Sequence, residues 1–103
     1  MTPRSPDRAR VVLVPPEDEI DHGNCHVLEA ALTEVDAGAA LIVDMASVRF
    51  CDSSGLRVLL SATKRQSAGG GSLRVVNPGP NVRRLFEITD LETILLGDAE
   101  DPG

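Results

Sequence analysis

Ala39-Ala40-Leu41-Ile42-Val43-Asp44 is an unbroken apolar run closed by an acid, and shortly after it Asp52-Ser53-Ser54-Gly55-Leu56 opens a stretch with apolar residues at helical spacing. A run without polar alternation reads as a strand covered on both faces, the habit of parallel sheets flanked by helices. Val11-Val12-Leu13-Val14, stopped by Pro15-Pro16, and Leu73 to Val76 repeat the signal on either side. Helical patterns fill the gaps. Val27, Leu28, Ala31, Leu32 and Val35 recur at 3.6-residue spacing, with Asp21 or Asn24 as cap and Gly38 as stop. Leu56, Leu59, Leu60 and Thr63 repeat the pattern, with Lys64 and Arg65 in the last turn and Gly69-Gly70-Gly71 after it. Pro80 starts a third helix through Val82, Leu85, Phe86 and Ile88, and Thr93 to Leu96 reads as a closing strand.

Strand and helix therefore alternate, which predicts an α/β fold with right-handed crossovers: one domain with a mostly parallel four- or five-stranded sheet and helices packed on it. Residues 1–9 are expected to be a flexible arm, 10–97 the domain and 98–103 a flexible acidic tail. In such a sheet the strand-to-helix loops gather beyond the strand C-termini, the usual place for a site. The loops Glu17 to Asn24 and Val48 to Ser54 belong to that edge, so Asp21 and Ser54 are expected to be neighbours.

Composition narrows the function classes. With 103 residues the chain can bury about 60–70% of its unfolded surface without metal or disulfide support. It has no Trp or Tyr and only two Phe, so the core must be aliphatic. A formal charge of −6 disfavours nucleic acid and anionic membranes, because phosphate backbones are bound by clustered Lys and Arg. No segment reads as a signal peptide or a membrane span, and the expected location is cytoplasmic. Cys25 and Cys51 are then expected to be reduced, small, buried residues.

The Asp52-Ser53-Ser54-Gly55 corner has a plain structural reading, in which Asp52 or Ser53 caps the helix for about 0.5–2 kcal/mol. It also has a functional one. A helix N-terminus offers unpaired N–H groups and a positive dipole end to an anion. Gly55 costs about 1 kcal/mol relative to alanine inside a helix, which is explained if another molecule approaches the backbone closely there.

Glu19-Ile20-Asp21, Leu41-Ile42-Val43-Asp44 and Phe50-Cys51-Asp52-Ser53-Ser54-Gly55-Leu56 resemble the anti-sigma factor antagonists of the STAS domain family. Gly71-Ser72-Leu73-Arg74-Val75-Val76 and Val82-Arg83-Arg84-Leu85-Phe86 follow in the expected order, so the resemblance runs from about Val11 to Leu96. It implies a single STAS-like domain acting as a partner switch in transcription regulation. The unphosphorylated antagonist binds an anti-sigma factor that is also a serine kinase, releasing a sigma factor; phosphorylation ends that binding, and a phosphoserine phosphatase restores it. The resemblance makes the protein a substrate rather than an enzyme, with no cofactor and no catalytic or metal-binding residues. It assigns the phosphoacceptor to Ser54, with Ser53 as the alternative, and the partner-binding surface to Asp21, Asp52, Ser53, Gly55 and Leu56. Leu56 has a core role as its structural alternative. Three departures stand out: Asp18 where the family has glycine, a short segment before Val11, and no final helix after Leu96.

Competing chemistries have weaker support. A serine hydrolase would use Ser53 or Ser54 with His22 or His26, but Gly-x-Ser-x-Gly is absent. His22, Cys25, His26 and Cys51 match no familiar zinc spacing, and a Cys25–Cys51 disulfide rests only on expected loop proximity. A non-phosphorylated STAS-type interaction or small-ligand sensing module keeps the fold and changes the role.

Overall fold

The computed structural model describes residues 9–96. The expected N-terminal arm, apart from Ala9, and the acidic tail lie outside the described residues. The elements run β1 (Arg10–Leu13), β2 (Glu19–Ile20), α1 (Cys25–Thr33), β3 (Ala40–Asp44), β4 (Phe50–Cys51), α2 (Ser53–Ala68), β5 (Ser72–Val76), α3 (Pro80–Ile88) and α4 (Glu92–Leu96). The α/β class and the parallel pairing follow the sequence reading. The five strands divide between a three-stranded sheet in the order β1-β3-β5 and a two-stranded ladder of β2 and β4, every pair parallel.

Among the described residues, covering of both sheet faces does not follow. In the three-stranded sheet, Val11, Leu41 and Leu73 lie in register on one face with Leu13, Val43 and Val75, while Val12, Ile42 and Arg74 share the other. Leu41, Val43, Leu73 and Val75 are buried in one cluster with Leu28 and Leu32 of α1, Leu56 and Leu59 of α2, Val82 and Phe86 of α3 and Leu95 of α4. On the opposite face Val12 is 59% exposed and Arg74 is exposed as well. The apolar runs here reflect the packing preference of β-branched residues for a pleated surface more than two-sided burial.

The expected closing strand is a helix. Asp90 takes a left-handed conformation at φ 60°. Behind α3, the Leu91 N–H donates to Phe86 O and the Asp90 N–H to Glu87 O, a Schellman closure that turns the chain sharply. Thr93 and Ile94 favour a strand, but the turn aims residues 92–96 across β5, where one helical turn buries Leu95 completely. Tertiary packing overrides local propensity here. The family's final helix, expected to be missing after Leu96, falls on residues outside those described.

A buried polar clamp fixes α1 against α2. Gln66 is fully buried; its side-chain amide donates to Asp36 O and Ala39 O at 2.9 and 3.1 Å, and its Oε1 accepts from Arg65 at 2.9 Å. Arg65 also donates to Thr33 O, an orphan carbonyl at the end of α1, and to Val35 O just beyond it. A buried amide with its hydrogen bonds made specifies one arrangement of its neighbours. Gly71 completes the join, since a Cβ there would collide with the carbonyl oxygens of Ala37 and Ala39. Among the described residues no helix is long and apolar enough to cross a membrane.

Candidate functional site

The short ladder builds the site. Glu19 pairs with Phe50 and Ile20 with Cys51, and beyond the strands the Asp52 N–H donates to Ile20 O at 3.0 Å. The two strand-to-helix loops therefore leave the ladder side by side, as the sequence reading expects.

In the first loop, Asp21 is committed to its own turn. Its Oδ1 accepts from the N–H groups of Gly23 and Asn24 at 2.9 and 3.1 Å, while Asn24 Oδ1 accepts from the Asp21 N–H and Asn24 Nδ2 donates to Glu19 O. This reciprocal lock sets the entry into α1. In the second loop, Asp52 is the N-cap of α2: its Oδ1 accepts from the Ser54 N–H at 2.8 Å and the Gly55 N–H at 3.3 Å. The capping reading of Asp52 is thus realised. Two first-turn donors expected to be open to an anion are taken by the carboxylate.

Ser53 is exposed and Ser54 is half-buried. The Ser54 hydroxyl lies 3.5 Å from His22 Nδ1, so the loop residue that meets its side chain is His22, next to the expected Asp21. His22, Cys25 and Glu29 on one side and Ser54, Arg57, Val58 and Ser61 on the other line a groove of about 280 Å³ between α1 and α2. Arg57 was not singled out by sequence, although it stands one helical turn beyond Ser54 and so on the same face.

Two assignments to the partner surface need correction. Gly55 is buried, and a Cβ on it would stand 2.6 Å from Cys51 Sγ and 2.7 Å from Ile20 Cγ2. The space is claimed by the protein's own ladder, so packing within the chain accounts for the glycine that was expected to admit another molecule. Leu56 is 5% exposed and belongs to the core. Asp21, Asp52 and Ser53 remain at least partly exposed around Ser54.

The cysteines differ in chemistry. Both are free thiols; Cys51 is buried and Cys25, expected to be buried, is only partly so, lining the groove. Burial, with Asp52 adding repulsion, pushes the Cys51 thiol up to about 12. At pH 8 an alkylating reagent is expected to label Cys25 in the native protein and to reach Cys51 only on unfolding; equal labelling rates would contradict this burial. The same shift has a definite sign for stability. The native protein keeps the Cys51 proton where the unfolded chain loses it, so the contribution is full below about 9 and is lost as pH rises toward about 12. Among the described residues, no group of three or more His, Cys, Asp or Glu is arranged to hold a metal ion.

A parallel α/β layer with a serine pair at the mouth of its central crossover helix, held beside an acidic loop by a short ladder, defines the class. The STAS domain profile matches residues 2–100, and the chain belongs to the STAS domain family. It is similar to the anti-sigma-B factor antagonist of Bacillus subtilis strain 168, 35% identical over 86 residues that cover 82% of this chain and 79% of that protein. Its fold is similar to the unphosphorylated form of the anti-sigma factor antagonist SpoIIAA, at TM-score 0.65 and 25% identity, over 90% of this chain and 83% of the other. A Thermotoga maritima crystal structure shares the fold at TM-score 0.70 and 21% identity, over 82% of this chain and 76% of the other.

Proposed function

We propose that this protein is a non-enzymatic anti-sigma factor antagonist that works by partner switching. Unmodified, it binds an anti-sigma factor with serine kinase activity and so frees a sigma factor. Transfer of the ATP γ-phosphoryl to Ser54 Oγ, with loss of the hydroxyl proton and release of ADP, ends the binding. A phosphoserine phosphatase resets it. The observation that carries this reading is the position of Ser54, half-exposed where the ladder brings both loops together, with Asp21, Asp52 and Ser53 around it.

A phosphoseryl group brings about −1.5 to −2 charges at neutral pH to a patch that already holds Asp52 and Asp21. A docking partner must desolvate that charge, and a hundredfold loss of affinity needs only about 2.8 kcal/mol. The fold has no matching reason to respond, because the side chain is not packed into the core. A hydrolytic role for the Ser54–His22 pair finds little support: the two first-turn N–H groups that would stabilise an oxyanion are occupied by Asp52.

The test is site mapping. After incubation with the cognate kinase and ATP, phosphate is expected on Ser54 and on no residue of the Ser54→Ala protein. Phosphate on Ser53, or on neither serine although the kinase binds, would overturn the assignment.

A further inference from the structure

We propose that His22 and Arg57 form an intramolecular latch for the phosphoseryl group on Ser54, holding it over the groove between α1 and α2. The inference rests on the reading of Ser54 as phosphoacceptor and adds what receives the phosphate once it is there.

The backbone is ill-prepared for that charge. An anion at a helix mouth ordinarily takes the N–H groups of the first turn, but here Asp52 Oδ1 already accepts from Ser54 and Gly55. With those two amides occupied, side chains lining the groove are placed to receive a phosphate on Ser54 Oγ. His22 Nδ1 is 3.5 Å from that oxygen. Arg57, one turn along α2, lines the same groove. Among the described residues the ion pairs are those of Arg49 with Asp18 and Glu19, so the Arg57 guanidinium is not committed to a carboxylate. A guanidinium suits bidentate contact with phosphate oxygens, and an imidazole N–H adds a further donor.

The groups facing this position define the balance. Glu29 and Cys25 approach from α1, Arg57 and Ser61 from α2, and Asp21 and Asp52 from the two loops. The Asp21 and Asp52 carboxylates hold backbone amides through Oδ1 and keep their negative charge, and Glu29 adds another across the groove. The Arg57 guanidinium lines the groove, and with the His22 ring nitrogen it draws the phosphate along it. The latch makes the phosphorylated form a defined surface rather than a mobile charge.

The experiment installs phosphoserine at position 54 during translation, so that no kinase is needed, and follows the phosphoryl group by ³¹P NMR against pH at fixed salt. Its second ionisation is expected about one pH unit lower in the otherwise wild-type protein than in the His22→Gln/Arg57→Gln double variant, since a nearby guanidinium and a hydrogen-bond donor to the charged form both favour the dianion. Each single variant should recover part of the difference. Both residues are exposed, so neither variant threatens the core. The same ionisation in all four proteins would overturn the latch and leave the helix terminus and solvent as the only environment of the phosphate. A kinase that never modifies Ser54 would sink the switch reading while this result still stood as a measured anion site.

Discussion

Ser54→Asp is expected to bind the anti-sigma partner at least about a hundredfold more weakly than the unsubstituted protein, and Ser54→Ala to bind within a few-fold of it. The asymmetry follows from what each change does at the interface. Removing the hydroxyl removes the contact with His22, which at 3.5 Å is weak. A carboxylate places a full charge beside Asp52, whose side chain is fixed on the first turn of α2 and cannot move away without uncapping the helix. On docking, that charge loses its water next to the Asp52 carboxylate, a cost of several kcal/mol wherever its pairing is incomplete. Carboxylate carries less charge than phosphate, so the mimic sets a lower bound on the effect. Calorimetric or surface-based titration of both variants against the same partner checks it, and equal affinities would contradict a charge-based block.

Gly55→Ala is expected to lower stability by about 1–2 kcal/mol although alanine is the better helix former. Overpacking a well-filled site costs about 1–3 kcal/mol, while replacing glycine within a helix returns at most about 1 kcal/mol. The added methyl would meet Cys51 Sγ at 2.6 Å and Ile20 Cγ2 at 2.7 Å. Both side chains are buried and sit on the β2–β4 ladder, whose strands are two residues long and offer little to yield against. Strain there spreads the two loops, so partner binding should weaken along with the melting temperature. For a domain of this size the midpoint should fall by several degrees, at about 4–8 °C per kcal/mol. Unchanged stability with selective loss of binding would instead return Gly55 to the partner surface.

Much of the fold was legible because its signals are local. The run Leu41-Ile42-Val43, the heptad-like spacing through Leu28 and Leu32, and the Asp52 cap each follow from the preferences of a few adjacent residues. Pro80 sits at the start of α3 for the same reason. The errors fall where distant residues decide. The sequence of residues 92–96 reads as a strand until the closure at Asp90 and Leu91 aims it across β5. The open sheet face is invisible in runs of Val and Ile that look the same whether one side or two are covered. Gln66 gives no sign in sequence of being the buried clamp between α1 and α2, since its partners, Asp36 and Ala39, lie about thirty residues away.

The candidate site was legible in its centre and less so in its surroundings. The Ser-Ser corner announces a strand-to-helix turn, and the loop pairing follows from the parallel order. Gly55 was misread because its neighbours, Ile20 and Cys51, come from two other segments. The sequence leaves Arg57 unassigned and offers His22 only as a hydrolase or zinc candidate, because their relation to Ser54 depends on the depth of the groove, which is set by helix packing rather than by any motif.

The central claim is that charge acquired at Ser54 blocks docking while the chain stays folded. The most direct measurement is the affinity of one anti-sigma partner, without nucleotide turnover, for the unmodified and the Ser54-phosphorylated protein, with amide spectra of both forms recorded alongside. A loss of at least about a hundredfold with backbone resonances displaced only around the two loops and the α1–α2 groove is the expected result. Equal affinity, or a loss accompanied by spectral collapse across the β1-β3-β5 sheet, would contradict it.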